Sequence, residues 1–100
     1  MKGWFVYILE CSDRTFYTGI TDDVESRVAV HNSGKGAKYT RGRTPVILKY
    51  TESVTGRSGA LKREAEIKRM TRSEKRSLWY NLSQEHIKNG GNNEAGMDGK

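Results

Sequence analysis

The stretch FVYILECSDRTFYTG, residues 5–19, decides how the chain begins to fold. Trp4 to Leu9 is an unbroken apolar run. It reads as a strand covered on both faces. Ser12, Asp13 and Arg14 supply turn chemistry, and Thr15–Ile20, rich in β-branched and aromatic residues, reads as the returning strand. With the loop at Ser12–Arg14, Cys11 pairs with Thr15, Leu9 with Tyr17 and Tyr7 with Gly19. Tyr7 and Tyr17 then share a face as diagonal neighbours, within reach of each other, and Gly19 leaves space beside the Tyr7 ring. A two-residue loop would put the phenols on opposite faces, because side chains alternate with period two. Two half-buried strand tyrosines need carry no chemistry, so the rest of the chain has to decide.

Working outward, Thr21-Asp22-Asp23 offers a helix cap, with carboxylates suited to the positive helix end. The helix is expected to reach about Asn32 or Ser33, with Gly34 as its stop. Gly34 to Pro45, GKGAKYTRGRTP, reads as a basic, glycine-rich loop. Val46–Thr51 is a third strand, and Ser53 to Ser58 a polar connection. A second helix is expected from about Ser58 to Met70. Thr71 ends it, and a third helix starts near Ser73 and runs through Trp79 and Leu82 toward Ile87. From Asn89 onward the chain has no periodicity and reads as a disordered tail. The expected fold is therefore a small α+β domain over residues 1–88. Its mainly antiparallel three-stranded sheet packs with three helices in the order β-β-α-β-α-α.

Charge narrows the partners. The chain carries 18 Lys/Arg against 12 Asp/Glu, a net of +6, and the excess is local. Val24 to Arg76 holds 14 basic and 5 acidic residues, a net of +9, while the remainder is net −3. A basic centre is the footprint of a polyanion partner, most often nucleic acid. Cys11 is the single cysteine, which excludes an intrachain disulfide and a cysteine-based zinc site and reads as buried and inert. Trp4–Leu9 is too short for a signal peptide or a membrane span, so a cytoplasmic protein without a membrane partner is expected. No Ser-His-Asp order, phosphate-binding Walker loop or HExxH motif is present.

Three further features carry candidate chemistry. Arg27 and His31 are four residues apart and stack on one side of the first helix. That side adjoins the apolar stripe of Val24 and Val28, where a satisfied histidine and a snorkelling arginine are equally good readings. On the second helix, Glu64 falls near the centre of an arc made by Ala60, Ile67, Met70, Leu61 and Ala65. A carboxylate there needs a basic partner, a proton or a divalent ion. Arg27 or Lys68 would serve as a plain salt-bridge partner. In the loop, Lys35, Lys38, Arg41 and Arg43 alternate with glycines and Tyr39. Such a loop can approach a phosphate backbone closely, with Tyr39 stacking on a base or sugar. A solvated surface loop has the same composition.

The ordered set of FVY at 5–7, YTG at 17–19, Arg27, His31 and Glu64 resembles the GIY-YIG nuclease superfamily. Gly36 to Val46 and Ala60 to Lys75 are similar to its short, stand-alone bacterial members. The likeness spans about residues 2–80. Phe5 stands where the name has glycine and Thr18 where it has isoleucine. Asn81 is the candidate for a late asparagine that many members use.

The resemblance implies a metal-dependent endonuclease acting on DNA, single-stranded or branched forms included. Glu64 would hold one divalent ion, Mg²⁺ or Mn²⁺, and Arg27 would stabilise phosphoryl charge. Tyr7 would act as general base, or would orient water with Tyr17 and His31, and His31 is the rival base. Two other readings remain at this stage: a nucleic-acid-binding module with little turnover, and a basic structural domain with a charged pair at Glu64.

Overall fold

In the computed structural model, residues 3–80 are described. The elements are β1 (Trp4–Glu10), β2 (Phe16–Thr21), α1 (Val24–Asn32), β3 (Ile47–Val54), α2 (Gly56–Lys68) and α3 (residues 72–80). A 3-10 turn, Lys38–Thr40, interrupts the long loop before β3. The fold is α+β, and its element order is the one expected. The expected tail, the far end of the third helix, the boundary at 88 and Asn81 lie outside the described residues. The chain divides after Met70 into two units. In the second, Thr71 caps α3 reciprocally: its backbone N–H donates to the Glu74 carboxylate at 2.8 Å and its Oγ1 accepts from the Glu74 N–H at 3.1 Å. This capping box satisfies two donors that a helix start leaves open.

The sheet order is β2-β1-β3, antiparallel throughout. The hairpin closes at the expected residues. Cys11 N donates to Thr15 O at 2.8 Å and Arg14 N to Cys11 O at 2.9 Å. Arg14 takes the left-handed conformation, φ 72°, that ends such loops. Asp13 accepts from both the N–H and the hydroxyl of Thr15. Leu9 therefore faces Tyr17 and Tyr7 faces Gly19.

Each face of β1 is covered. Tyr7, Leu9 and Cys11 alternate to one side, where Val46, Tyr17 and Val28 of α1 complete a cluster. Val6 and Ile8, fully buried, point to the other. Their register partners Glu52 and Tyr50 share that side with Trp4 and Val54. It belongs to α2, because Arg63 pairs with Glu52 at 2.9 Å and Arg57 lies over Trp4.

The helix and strand limits differ most from the expectation between β3 and α2. β3 continues to Val54 and α2 begins at Gly56, so the polar segment expected as a connection is mostly strand and first turn. Thr51, Glu52 and Ser53 stay in the ladder because Tyr7, Val6 and Phe5 pair with them, whatever their own turn propensity. The apolar arc of α2 is also narrower than expected. Ala60 and Ile67 are buried, but Leu61 and Ala65 are exposed.

Candidate active site

The site is built around the Tyr7 side chain, which is 1% exposed. It crosses Gly19 toward the edge of the sheet. A Cβ at position 19 would lie 2.6 Å from the Tyr7 oxygen and 3.0 Å from the Tyr17 ring. Glycine is thus what allows the two phenols to approach, and their ring centroids are 6.3 Å apart. His31, on the last turn of α1, is fully buried beside them, at 5.9 Å from the Tyr7 ring and 5.2 Å from that of Tyr17.

The polar atoms form a chain. The Tyr7 hydroxyl is 2.9 Å from His31 Nε2, His31 Nδ1 is 2.8 Å from Thr40 Oγ1, and Thr40 Oγ1 donates to Ala37 O at 3.0 Å. Arg27, half-buried one turn before His31, adds its charge at the Tyr7 oxygen. Burial pushes the Tyr7 phenol up to about 12, against the lowering effect of Arg27, while the nearby Tyr17 and Glu64 push the same way as burial. Burial, and then the charge of Arg27, hold His31 below the usual imidazole range. Both groups are therefore neutral near pH 7, as a buried hydrogen-bonded pair should be.

Glu64, on α2, acts on this group through its charge, which is felt at the Tyr7 oxygen. Its side chain is 19% exposed, and Lys68, one turn on and 54% exposed, approaches one carboxylate oxygen at 3.3 Å. Such an ion pair at the surface contributes little and can open. A carboxylate with solvent access and a movable cation beside it is of the kind that would hold a mostly hydrated Mg²⁺, which needs one or two carboxylates. Among the described residues no group of three or more His, Cys, Asp and Glu side chains could cage a metal ion.

Tyr7, Tyr17, Arg27 and His31 thus come from β1, β2 and α1 to one place, and Glu64 on α2 is near enough for its charge to act on the Tyr7 oxygen. The loop residues are distributed differently. Lys35 and Lys38 are exposed and make no ion pair among the described residues. Arg41 donates from Nε to Gly36 O at 3.2 Å. Arg43 bonds Asp13 at 2.9 Å and Tyr39 O at 2.6 Å, and its guanidinium lies 4.0 Å over the Tyr39 ring. Tyr39 also stacks with Tyr17, centroids 6.1 Å apart. The basic loop is therefore tied down by its own contacts, and the Tyr39 ring already has two partners within the protein, Tyr17 and Arg43.

Three residues of the site were not among the sequence candidates. Thr40 is fully buried against His31. Gly36 packs its backbone on His31: an added Cβ would meet the His31 Cα at 2.8 Å. Asn32 clips the loop's far end, accepting from Val46 N at 2.7 Å and donating to Val46 O at 3.1 Å. In sequence, Thr40 and Gly36 are two ordinary members of a basic loop and Asn32 is a helix end. Only the path of the loop over α1 gives them work.

This arrangement of motif residues has a known counterpart, since the GIY-YIG catalytic domain matches residues 3–77. The chain belongs to the GIY-YIG family. GIY-YIG domains form a nuclease superfamily, so the chain is an endonuclease-like domain with nucleic acid as its substrate class. It is 58% identical over 74 residues to a UPF0213 protein of Halobacterium salinarum, covering 74% of this chain and 96% of that one. With a UPF0213 protein of Staphylococcus epidermidis it shares 58% over 75 residues, 75% of this chain and 92% of the relative. The solution NMR structure of a protein from E. faecalis superimposes with a TM-score of 0.50 at 37% identity, over 95% of this chain and 94% of that one. Among the described residues, no helix is long and apolar enough to cross a membrane.

Proposed function

We propose that this GIY-YIG domain hydrolyses DNA phosphodiester bonds with one divalent ion, Mg²⁺ or Mn²⁺, held by Glu64. The observation that carries the reading is the convergence on the Tyr7 oxygen: His31 in hydrogen-bond contact, with the charges of Arg27 and Glu64 acting on the same atom. A phenol held near 12 is protonated at neutral pH. Tyr7 therefore accepts the proton of an attacking water as it hands its own proton to His31 Nε2. The hydroxide forms the new bond to phosphorus, and the departing ester oxygen takes a proton from solvent. Tyr17 orients the water. Arg27, a fork of donors, meets the charge that builds on the phosphoryl oxygens. Bound at Glu64, the ion would supply Lewis-acid stabilisation of that charge.

Lys35 and Lys38 contact the phosphate backbone, with Arg41 and Arg43 adding charge while they brace the loop. Phosphate contacts position a strand without reading its sequence. The substrate is accordingly selected by shape and access, with single-stranded and branched DNA favoured.

The test incubates the protein with supercoiled, single-stranded and branched DNA in Mg²⁺, in Mn²⁺ and in chelator. Strand breaks that need metal and favour single-stranded or branched forms support the proposal. The ion pair of Glu64 with Lys68 favours a second reading, a binding module with little turnover. Metal-independent binding without breaks would establish it.

A further inference from the structure

We propose that Thr40 is a positioning residue that fixes the tautomer of His31, leaving Nε2 as the acceptor that faces Tyr7. This deepens the nuclease reading and rests on it for its catalytic consequence, but the tautomer itself does not. The hydrogens along the chain can be counted. A hydroxyl has one proton and a neutral imidazole has one N–H. Thr40 Oγ1 lies 3.0 Å from Ala37 O and donates to it, so toward His31 it can only accept. The proton on His31 therefore sits on Nδ1 and points at Thr40, 2.8 Å away. Nε2 keeps its lone pair and receives the Tyr7 hydroxyl at 2.9 Å.

The opposite order loses a hydrogen bond at each end. It would take the Thr40 proton away from Ala37 O. It would also take from the Tyr7 proton its acceptor on His31, and Arg27, which has only donors, could not replace it.

The loop holds the device in place. Thr40 closes the 3-10 turn through its N–H to Ala37 O at 3.0 Å. Gly36, buried against the histidine ring, is held by Arg41 through its carbonyl. The basic loop thus has a second task besides meeting phosphate: it grips the imidazole from the side away from Tyr7.

Isotope-labelled histidine read by NMR near neutral pH tests this directly, with His86→Gln removing the other histidine signal. The expected result is an Nδ1–H tautomer for His31 in the wild type and in Thr40→Ser. In Thr40→Val, a shape-conserving change, Nε2–H becomes populated. DNA cleavage in Thr40→Val falls by about ten- to a hundredfold, and Thr40→Ser retains it. A wild-type Nε2–H tautomer would overturn the proposal, as would Thr40→Val keeping pure Nδ1–H. An Nδ1–H tautomer that depends on Thr40, in a protein that never cuts DNA, would instead uphold the positioning role and refute the nuclease reading.

Discussion

The Tyr7 hydroxyl lies 2.9 Å from Nε2 of His31, joining a residue of the central strand to one at the end of α1 through the core of the domain. Both are essentially inaccessible to solvent. This contact depends on what is missing at Gly19. The Tyr7 ring passes through the space that any other side chain there would take.

Gly19→Ala should therefore damage the site and the fold together. Its methyl group would sit 2.6 Å from the Tyr7 oxygen, and the Tyr7 side chain is buried. The expected cost is about 1–3 kcal/mol, read by denaturant unfolding, with loss of cleavage. Gly42→Ala is the control, since nothing lies within 4 Å of its added carbon, and it should behave as wild type. Equal effects from the two would refute the close-approach argument.

Much of this was legible in the sequence. The turn at Ser12–Arg14 set the register, and the register alone put Tyr7 and Tyr17 on one face beside Gly19. Glu64 stood out because a carboxylate among Ala60 and Ile67 asks for a partner. What could not be read was the course of the loop from Gly34 to Pro45. Its composition describes solvated charge, yet Thr40 and Gly36 are buried by contact with a helix that ends before them. Burial of that kind comes from tertiary packing, which neither periodicity nor turn propensity encodes. The length of β3 was missed for the same reason, its polar end being held by pairing to β1.

Thr18 offers a test of the core independent of catalysis. It stands where the motif has an apolar residue, and its Oγ1 is buried with no hydrogen-bond partner among the described residues. Its side faces α2, opposite the phenols. Thr18→Val keeps the shape and removes the unsatisfied hydroxyl, and should stabilise the protein by about 1 kcal/mol. A measured destabilisation would mean that the hydroxyl has a partner after all.

His31 gives stability a defined pH dependence. Burial, then the charge of Arg27, depress its pKa in the folded state, whereas in the unfolded chain it returns to about 6.5. Between those values the unfolded state binds more protons, so unfolding free energy rises with pH. Acidification through about 6.5 should thus lower the melting temperature until the folded-state value is passed. His31→Gln should show a flatter profile over that window. An equal slope in both proteins would remove His31 as the source.

The basic loop predicts a salt effect. With Arg41 and Arg43 engaged inside the protein, Lys35 and Lys38 are the clearest phosphate contacts. The double variant Lys35→Ala/Lys38→Ala should reduce the slope of log K against log salt by about 1.4 for single strands and about 1.8 for double strands. It should leave the melting temperature unchanged. An unaltered slope would place the nucleic acid elsewhere on the domain.

The most direct measurement compares metal-dependent DNA cleavage by the wild type, Tyr7→Phe and Glu64→Gln, with DNA binding measured on the same samples. Tyr7→Phe keeps the ring and removes the hydroxyl, and Glu64→Gln keeps the shape and removes the charge. Both should bind DNA as the wild type does. Cleavage should fall by about a hundredfold or more in each. Undiminished cleavage in either variant, at unchanged binding, would contradict a hydrolytic centre built on these two side chains.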